Sequence, residues 1–137
     1  MKHHPASLAN LAESPDPVAR LRALRLMRYQ IEAGQMPAEY LPLARRLLLD
    51  PDHDCRWQAA MVISRSIGTH SEDVWQIVRE FGESPDEDMR DVVATILLPP
   101  LLQSGHGDYQ AKLRGLITNG SHRLLADTAS RSGWPAT

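Results

Sequence analysis

Cysteine is nearly missing from this chain: Cys55 is the only one in 137 residues. A single thiol excludes an intramolecular disulfide and fits a reducing compartment. Aromatic residues are scarce as well, at 5%, while Leu, Ala and Arg are plentiful, a balance that favours helix over strand. Charge of one sign does not dominate. A formal net charge of −2 and a pI of about 6.3 argue against a protein that lives on nucleic acid or on an anionic membrane. Long hydrophobic runs are also lacking. The densest one, from Ile96 to Leu102, is broken by Pro99 and Pro100 and falls well short of the roughly 20 apolar residues that span a bilayer. Met1-Lys2-His3-His4-Pro5 carries no apolar run of the signal-peptide kind. These absences predict a cytoplasmic chain with no membrane contact. What is present, 42% apolar and 23% charged residues, suits one globular domain with a sizeable core.

The chain repeats itself. Ser14-Pro15-Asp16-Pro17-Val18-Ala19-Arg20, Asp50-Pro51-Asp52-His53-Asp54-Cys55-Arg56 and Ser84-Pro85-Asp86-Glu87-Asp88-Met89-Arg90 align without gaps. Each has Pro, then Asp, then Arg four residues after the Asp, then a compact residue three further on: Ala23, Ala59, Val93. The prolines are 36 and 34 residues apart, and a degraded fourth copy near Thr118 keeps Arg123 and Ala126 but has Asn119 in place of the Asp. Local chemistry explains the pattern. Ser14, Asp50 and Ser84 are predicted N-caps, and proline is tolerated at the first helical position. An Asp in the first turn complements the helix dipole, and the Arg four residues on can pair with it along one face. Ser84 with Glu87 also fits a capping box.

After each start the apolar residues fall at helical spacing, in two runs per copy. The first copy has a long helix through Ile31, a break at Gly34 and Pro37, then Tyr40, Leu43, Ala44, Leu47 and Leu48. The second has Ala59, Ala60, Val62, Ile63 and Ile67, a C-cap at Gly68, a new start at Ser71, then Val74, Ile77, Val78 and Phe81. The third runs from Met89 to Leu97, breaks around Ser104-Gly105-His106-Gly107 and resumes at Tyr109, Leu113, Leu116 and Ile117. A short helix over residues 6–13 is predicted to cap the first copy. Helix pairs repeating at this length predict an all-α fold, a short right-handed α-solenoid (an α-α superhelix) of about seven or eight helices. Residues 1–137 then form a single domain with repeats at about 14–49, 50–83 and 84–117 and a partial one at 118–132.

Asp52-His53-Asp54-Cys55-Arg56-Trp57-Gln58-Ala59-Ala60, running on to Ser66-Ile67-Gly68, resembles the signature of HEAT-like repeats: Asp, Arg, Ala-Ala, then a closing Ile-Gly. The resemblance extends over roughly residues 14 to 132. The first copy lacks the Ile-Gly ending, and the third has Pro99-Pro100 inside its first helix. Tetratricopeptide repeats share the length, but their Trp, Leu-Gly and Tyr spacing is absent. In HEAT-like proteins, residues at the Asp and Arg positions bridge neighbouring repeats, and the resemblance implies that role here. It also implies a binding module.

Candidate chemistry is thin. The Asp16, Asp52, Asp86 and Arg20, Arg56, Arg90 series recurs at the repeat period, which marks it as scaffold, because an active site is rarely built three times. Cys55 has no His and Asp or Asn partner in a recognisable motif. The histidines fall at the terminus (His3, His4) or at helix ends and loops (His53, His70, His106, His122), without metal-ligand spacing. No catalytic residue, cofactor or metal site is assigned. Arg22, Arg25 and Arg28 share one face of the first helix, and Glu83, Asp86, Glu87, Asp88 and Asp91 cluster near a helix start, so the chain is electrically asymmetric. The best partner-binding candidates lie on the second helices, off the apolar stripe: Arg45, Arg46, Trp75, Arg79, Lys112 and Arg114. Trp75 and Arg79 lead, because Trp and Arg are the commonest interface anchors. Trp75 sits at the edge of the stripe and is expected to be half-buried.

The reading is a non-enzymatic protein–protein interaction module of adaptor, inhibitor or immunity type, with another protein as partner. The alternative, suggested by HEAT-like DNA glycosylases, is a DNA-binding or DNA-repair protein, although the net charge disfavours nucleic acid. A weaker one is a lyase-type helper acting on a tetrapyrrole-bearing protein. An apolar edge near Leu124, Leu125 and Trp134 is expected to be exposed and able to form a homodimer.

Overall fold

The computed structural model describes residues 5–105 and 107–134. His3, His4, His106 and the end of the tail, residues 135–137, lie outside the described residues. All regular elements among them are helical: α1 (Pro5–Ala12), α2 (Pro17–Glu32), α3 (Tyr40–Leu47), α4 (His53–Arg65), α5 (Ile67–Gly82), α6 (Glu87–Val92), a π-helical segment Val93–Leu97 continuing into α7 (Leu98–Gln103), α8 (Tyr109–Thr118) and α9 (Arg123–Arg131). With α6, the π segment and α7 forming one run, this is the all-α, paired-helix class of fold that the repeat arithmetic predicts. The chain divides into two compact units, Met1–Ser66 and Ile67–Thr137.

In the first unit α2 packs against α1 and α4, and α3 packs against α4. Leu8, Ala23, Leu24, Met27, Tyr40, Ala44, Leu48, Ala59, Ala60, Val62 and Ile63 are almost or fully inaccessible. Burying each of the larger ones contributes roughly 1.5–3 kcal/mol. The compact residues three after the repeated arginines, Ala23 on α2 and Ala59 on α4, lie in this core. At the end of α2, Gly34 takes φ +91°, Gly34 N–H donates to Ile31 O and Gln35 N–H donates to Gln30 O. That is a Schellman close, and it makes Gly34 the stop.

In the second unit α5 packs against α6, the π segment, α7 and α9, and α8 contacts α7 and α9. Its core includes Val74, Ile77, Val78, Val92, Val93, Leu97, Leu98, Leu101, Leu113 and Leu125. Pro99 and Pro100 do not end the third first-helix. Leu98 N–H donates to Val93 O, five residues back, and this π turn re-registers the helix just ahead of the two missing N–H donors. The helix then runs on to Gln103. The break at His70 falls where a new start at Ser71 is expected: His70 has φ −136° and ψ 42° inside α5. Gly68 is not the C-cap. Ser66 holds that place, its hydroxyl donating to Ile63 O at 2.6 Å.

The helix starts differ from expectation by two residues. Asp16, Asp52 and Asp86 are the N-caps, accepting from Val18 N–H, Cys55 N–H and Asp88 N–H. Ser14, Asp50 and Ser84 instead accept from the backbone N–H of those same Asp residues. No Ser84–Glu87 capping box forms, because Ser84 lies two residues ahead of the cap. Arg20 and Arg90 pair with Asp50 and Asp127 rather than with the Asp four residues back. Arg20, Arg56 and Arg90 each donate through Nη1 to the carbonyl six residues back, on Ser14 (2.9 Å), Asp50 (3.1 Å) and Ser84 (2.7 Å). Each repeated Arg thus ties the turn to the helix that leaves it.

Candidate functional site

Arg20 Nε and Nη2 reach Asp50 Oδ2 at 2.6 Å and Oδ1 at 3.0 Å, a bidentate pair whose side chains are 13% and 3% exposed. These hydrogen bonds hold the Arg20 guanidinium above its ordinary pKa. The pair joins the first copy of the repeat to the second, so Arg20 bridges repeats as the resemblance implied, although its partner Asp50 stands at the Ser14 and Ser84 position and not at that of the repeated Asp. Asp52 lies below the usual carboxylate range because it accepts the backbone N–H of Cys55. Cys55 is fully buried, and burial followed by the Asp52 interaction pushes its thiol up to about 12. A thiol kept protonated is no nucleophile.

The acidic cluster near the third start divides among structural tasks. Asp86 is the cap of α6. Glu83 accepts from Leu124 N–H and Leu125 N–H, at 3.4 and 2.6 Å, and so caps α9 from the end of α5. Glu87 and Asp91 take Arg131 Nη2 and Nη1 at 2.8 and 2.6 Å. The arginine face of α2 is partly occupied too: Arg28 donates to Gln58 at 2.7 Å, while Arg22 and Arg25 are exposed. Among the described residues no group of three His, Cys, Asp or Glu side chains could hold a metal ion, and no helix is long and apolar enough to cross a membrane.

The six candidate partner-binding residues separate. Arg45 and Arg46 belong to the first unit, on α3, where Arg46 pairs with Glu13 at 3.2 Å. Arg114, on α8, lies 5.7 Å from the centroid of the Trp134 ring. Trp134 is tied back by its N–H to Ala129 O, in a second Schellman close at Gly133. Trp75, Arg79 and Lys112 come together between α5 and α8. Trp75 is not half-buried: it is 3% exposed, its ring 5.5 Å from that of Tyr109. It follows Val74 and precedes Val78 by three, so it belongs to the buried stripe, and the equally buried Tyr109 ring is tilted against it. Leu125 likewise is fully buried rather than part of an exposed edge. It lies against Gly82, where an added Cβ would come within 2.7 Å of Leu125 Cδ1.

The geometry around Trp75 forms a groove. Glu72 is the hub at one end, with Tyr109 Oη (3.3 Å) and Lys112 Nζ (3.4 Å) on Oε2 and Gln76 Nε2 (3.5 Å) on Oε1. Lys112 also lies 4.9 Å above the Tyr109 ring. From there a hollow of about 440 Å³ runs between α5 and α8, with Trp75 and Leu116 as apolar lining and Ala111 and Gly115 on the α8 side. Nothing lies within 4 Å of where a Gly115 Cβ would stand, so the small residues of α8 keep the space open. A second hollow of about 420 Å³ continues past Gln76 and Arg79 to Glu80, Glu83 and His122. Arg79 lines both, and its Nε is buried with no hydrogen-bond partner. Gln76 is a second-helix position off the apolar stripe, whereas Glu72, Ala111, Gly115 and Leu116 are not among the partner-binding candidates that the sequence offers. The available signal was the pair of small residues four apart on α8, which leaves a gap on that helix face.

Residues 5–97 match the family model described as HEAT repeats. No curated protein and no solved structure matches the chain.

Proposed function

The chain belongs to the HEAT-repeat family, and from that premise we propose that it is a non-enzymatic protein-interaction module that receives its partner in the α5–α8 groove. The observation that carries this reading is the continuity of the two hollows along one face of α5, from Glu72 to Glu83. The eleven residue steps from Glu72 to Glu83 span about 16 Å, the length of roughly five residues of extended chain. The lining combines an apolar floor with an arginine that has no partner, the composition of an interaction site rather than of a solvated face. The other conspicuous polar groups, Asp50, Asp52, Asp86, Arg20, Arg90 and Arg131, are engaged in scaffold, and the buried, protonated Cys55 fits a non-catalytic protein in a reducing compartment. The DNA-binding alternative draws no support from the family match.

A photo-crosslinking residue placed at Gln76, an exposed groove position, tests the reading in the native cell. A discrete protein adduct is expected from position 76 and none from the exposed position Thr95 on the π segment. Equal adducts from both positions, or none from 76, would end the proposal.

A further inference from the structure

We propose that Arg79 receives the side-chain carboxylate of an aspartate or glutamate in an extended partner segment that lies along the groove. The inference rests on the groove reading above and adds the chemistry of the occupant. Arg79 is the one cation of the groove with no partner among the described residues. Lys112 is held by Glu72 and by the Tyr109 ring, whereas Arg79 Nε is buried and unbonded. Two acids line the same hollow, Glu80 and Glu83, and Glu83 is turned to Leu124 N–H and Leu125 N–H. A planar guanidinium is shaped to take a carboxylate through two parallel bonds, and with Nε inaccessible the two terminal nitrogens of Arg79 are the pair that would give them.

Position selects a side chain over a chain terminus. Arg79 lines both hollows, so the groove continues beyond it in both directions, and a bound segment passes over it rather than ending there. On one side the floor is Trp75 and Leu116, which suits an aliphatic residue. On the other, Gln76, Glu80 and His122 suit a polar one. The occupant is therefore an extended segment with an aliphatic residue about two positions from an acidic one.

The probe is a capped six-residue peptide in an alanine–serine background carrying one leucine and, two positions away, one glutamate, made in both chain orders. Binding to the full chain is read by NMR at the Arg79 Nε–H and the Trp75 indole N–H. The glutamate peptide is expected to bind at least fivefold more tightly than its glutamine twin. Arg79→Gln should abolish that preference while leaving the backbone amide spectrum of the folded protein unchanged, and Arg79→Lys should reduce it. Equal binding of the glutamate and glutamine peptides would overturn the inference. So would tighter binding of a glutamine peptide with a free C-terminal carboxylate, which would make the occupant a chain end. A position-76 adduct without a glutamate preference would sink this inference alone. A glutamate preference with no adduct would sink the module reading and leave the carboxylate site standing.

Discussion

The repeated arginine is bonded the same way in both units and bridges differently. In the first unit Arg20 crosses to the next copy through two short bonds to a carboxylate that is nearly inaccessible. In the second, Arg90 Nε stands 3.6 Å from Asp127 and lacks a hydrogen bond, and Arg131 takes over with bonds to Asp127, Glu87 and Asp91 on a wetter surface. One position accounts for the difference. Asp50 occupies the place of Ser14 and Ser84, so the second copy alone brings a carboxylate into the turn, while the fourth has Ile117 there. The residue one step into a turn, and not the conserved-looking Arg, decides whether a joint is a buried pair or an exposed network.

Breaking the core under the groove should have the largest effect. Trp75→Ala removes a ring 3% exposed and should destabilise the protein by about 4 kcal/mol, read by denaturant unfolding. A loss under 1 kcal/mol would return Trp75 to the surface. Asp50→Ala leaves the Arg20 guanidinium without its carboxylate and should cost about 3 kcal/mol, with faster amide exchange in α2 and α4. Glu83→Ala removes the cap of α9 and should cost about 1 kcal/mol, with exchange rising at Leu124 and Leu125. Asp52 tests the cap of α4 by pH. Its pKa in the folded state is lowered, so its contribution is present above the unfolded value and lost as pH falls through the folded one. Wild-type stability should therefore decline below about pH 4, and Asp52→Asn should flatten that decline. Arg131→Ala should give the smallest change, one that vanishes in high salt because the network is exposed. A salt-independent loss would contradict the contrast between the joints.

Most of the architecture was legible because its signals are local. Proline, Asp and the helical run after them mark each start, and Gly34 marks a stop. The caps were misplaced by two residues, since Ser14, Asp50 and Ser84 are also good acceptors and only the backbone angles say which residue opens the helix. The π turn before Pro99 was not legible, because it depends on how a helix accommodates two missing donors. The groove was the least legible. Trp75 and Arg79 were singled out on residue type, but whether either is exposed depends on which face of α8 lies across from α5. The Tyr109 ring lies against the one, and the small Ala111 and Gly115 leave the other open. Glu83 read as part of an acidic cluster near α6, and its real partner is 41 to 42 residues further along the chain.

The central claim is that the partner meets the groove of the second unit and not the arginine face of the first. The most direct test compares in-cell photo-adduct yields from the same crosslinker at Gln76 and at Arg25, an exposed position on α2. A protein adduct from position 76 with none from position 25 is the predicted result. An adduct from position 25 with none from position 76 would contradict it.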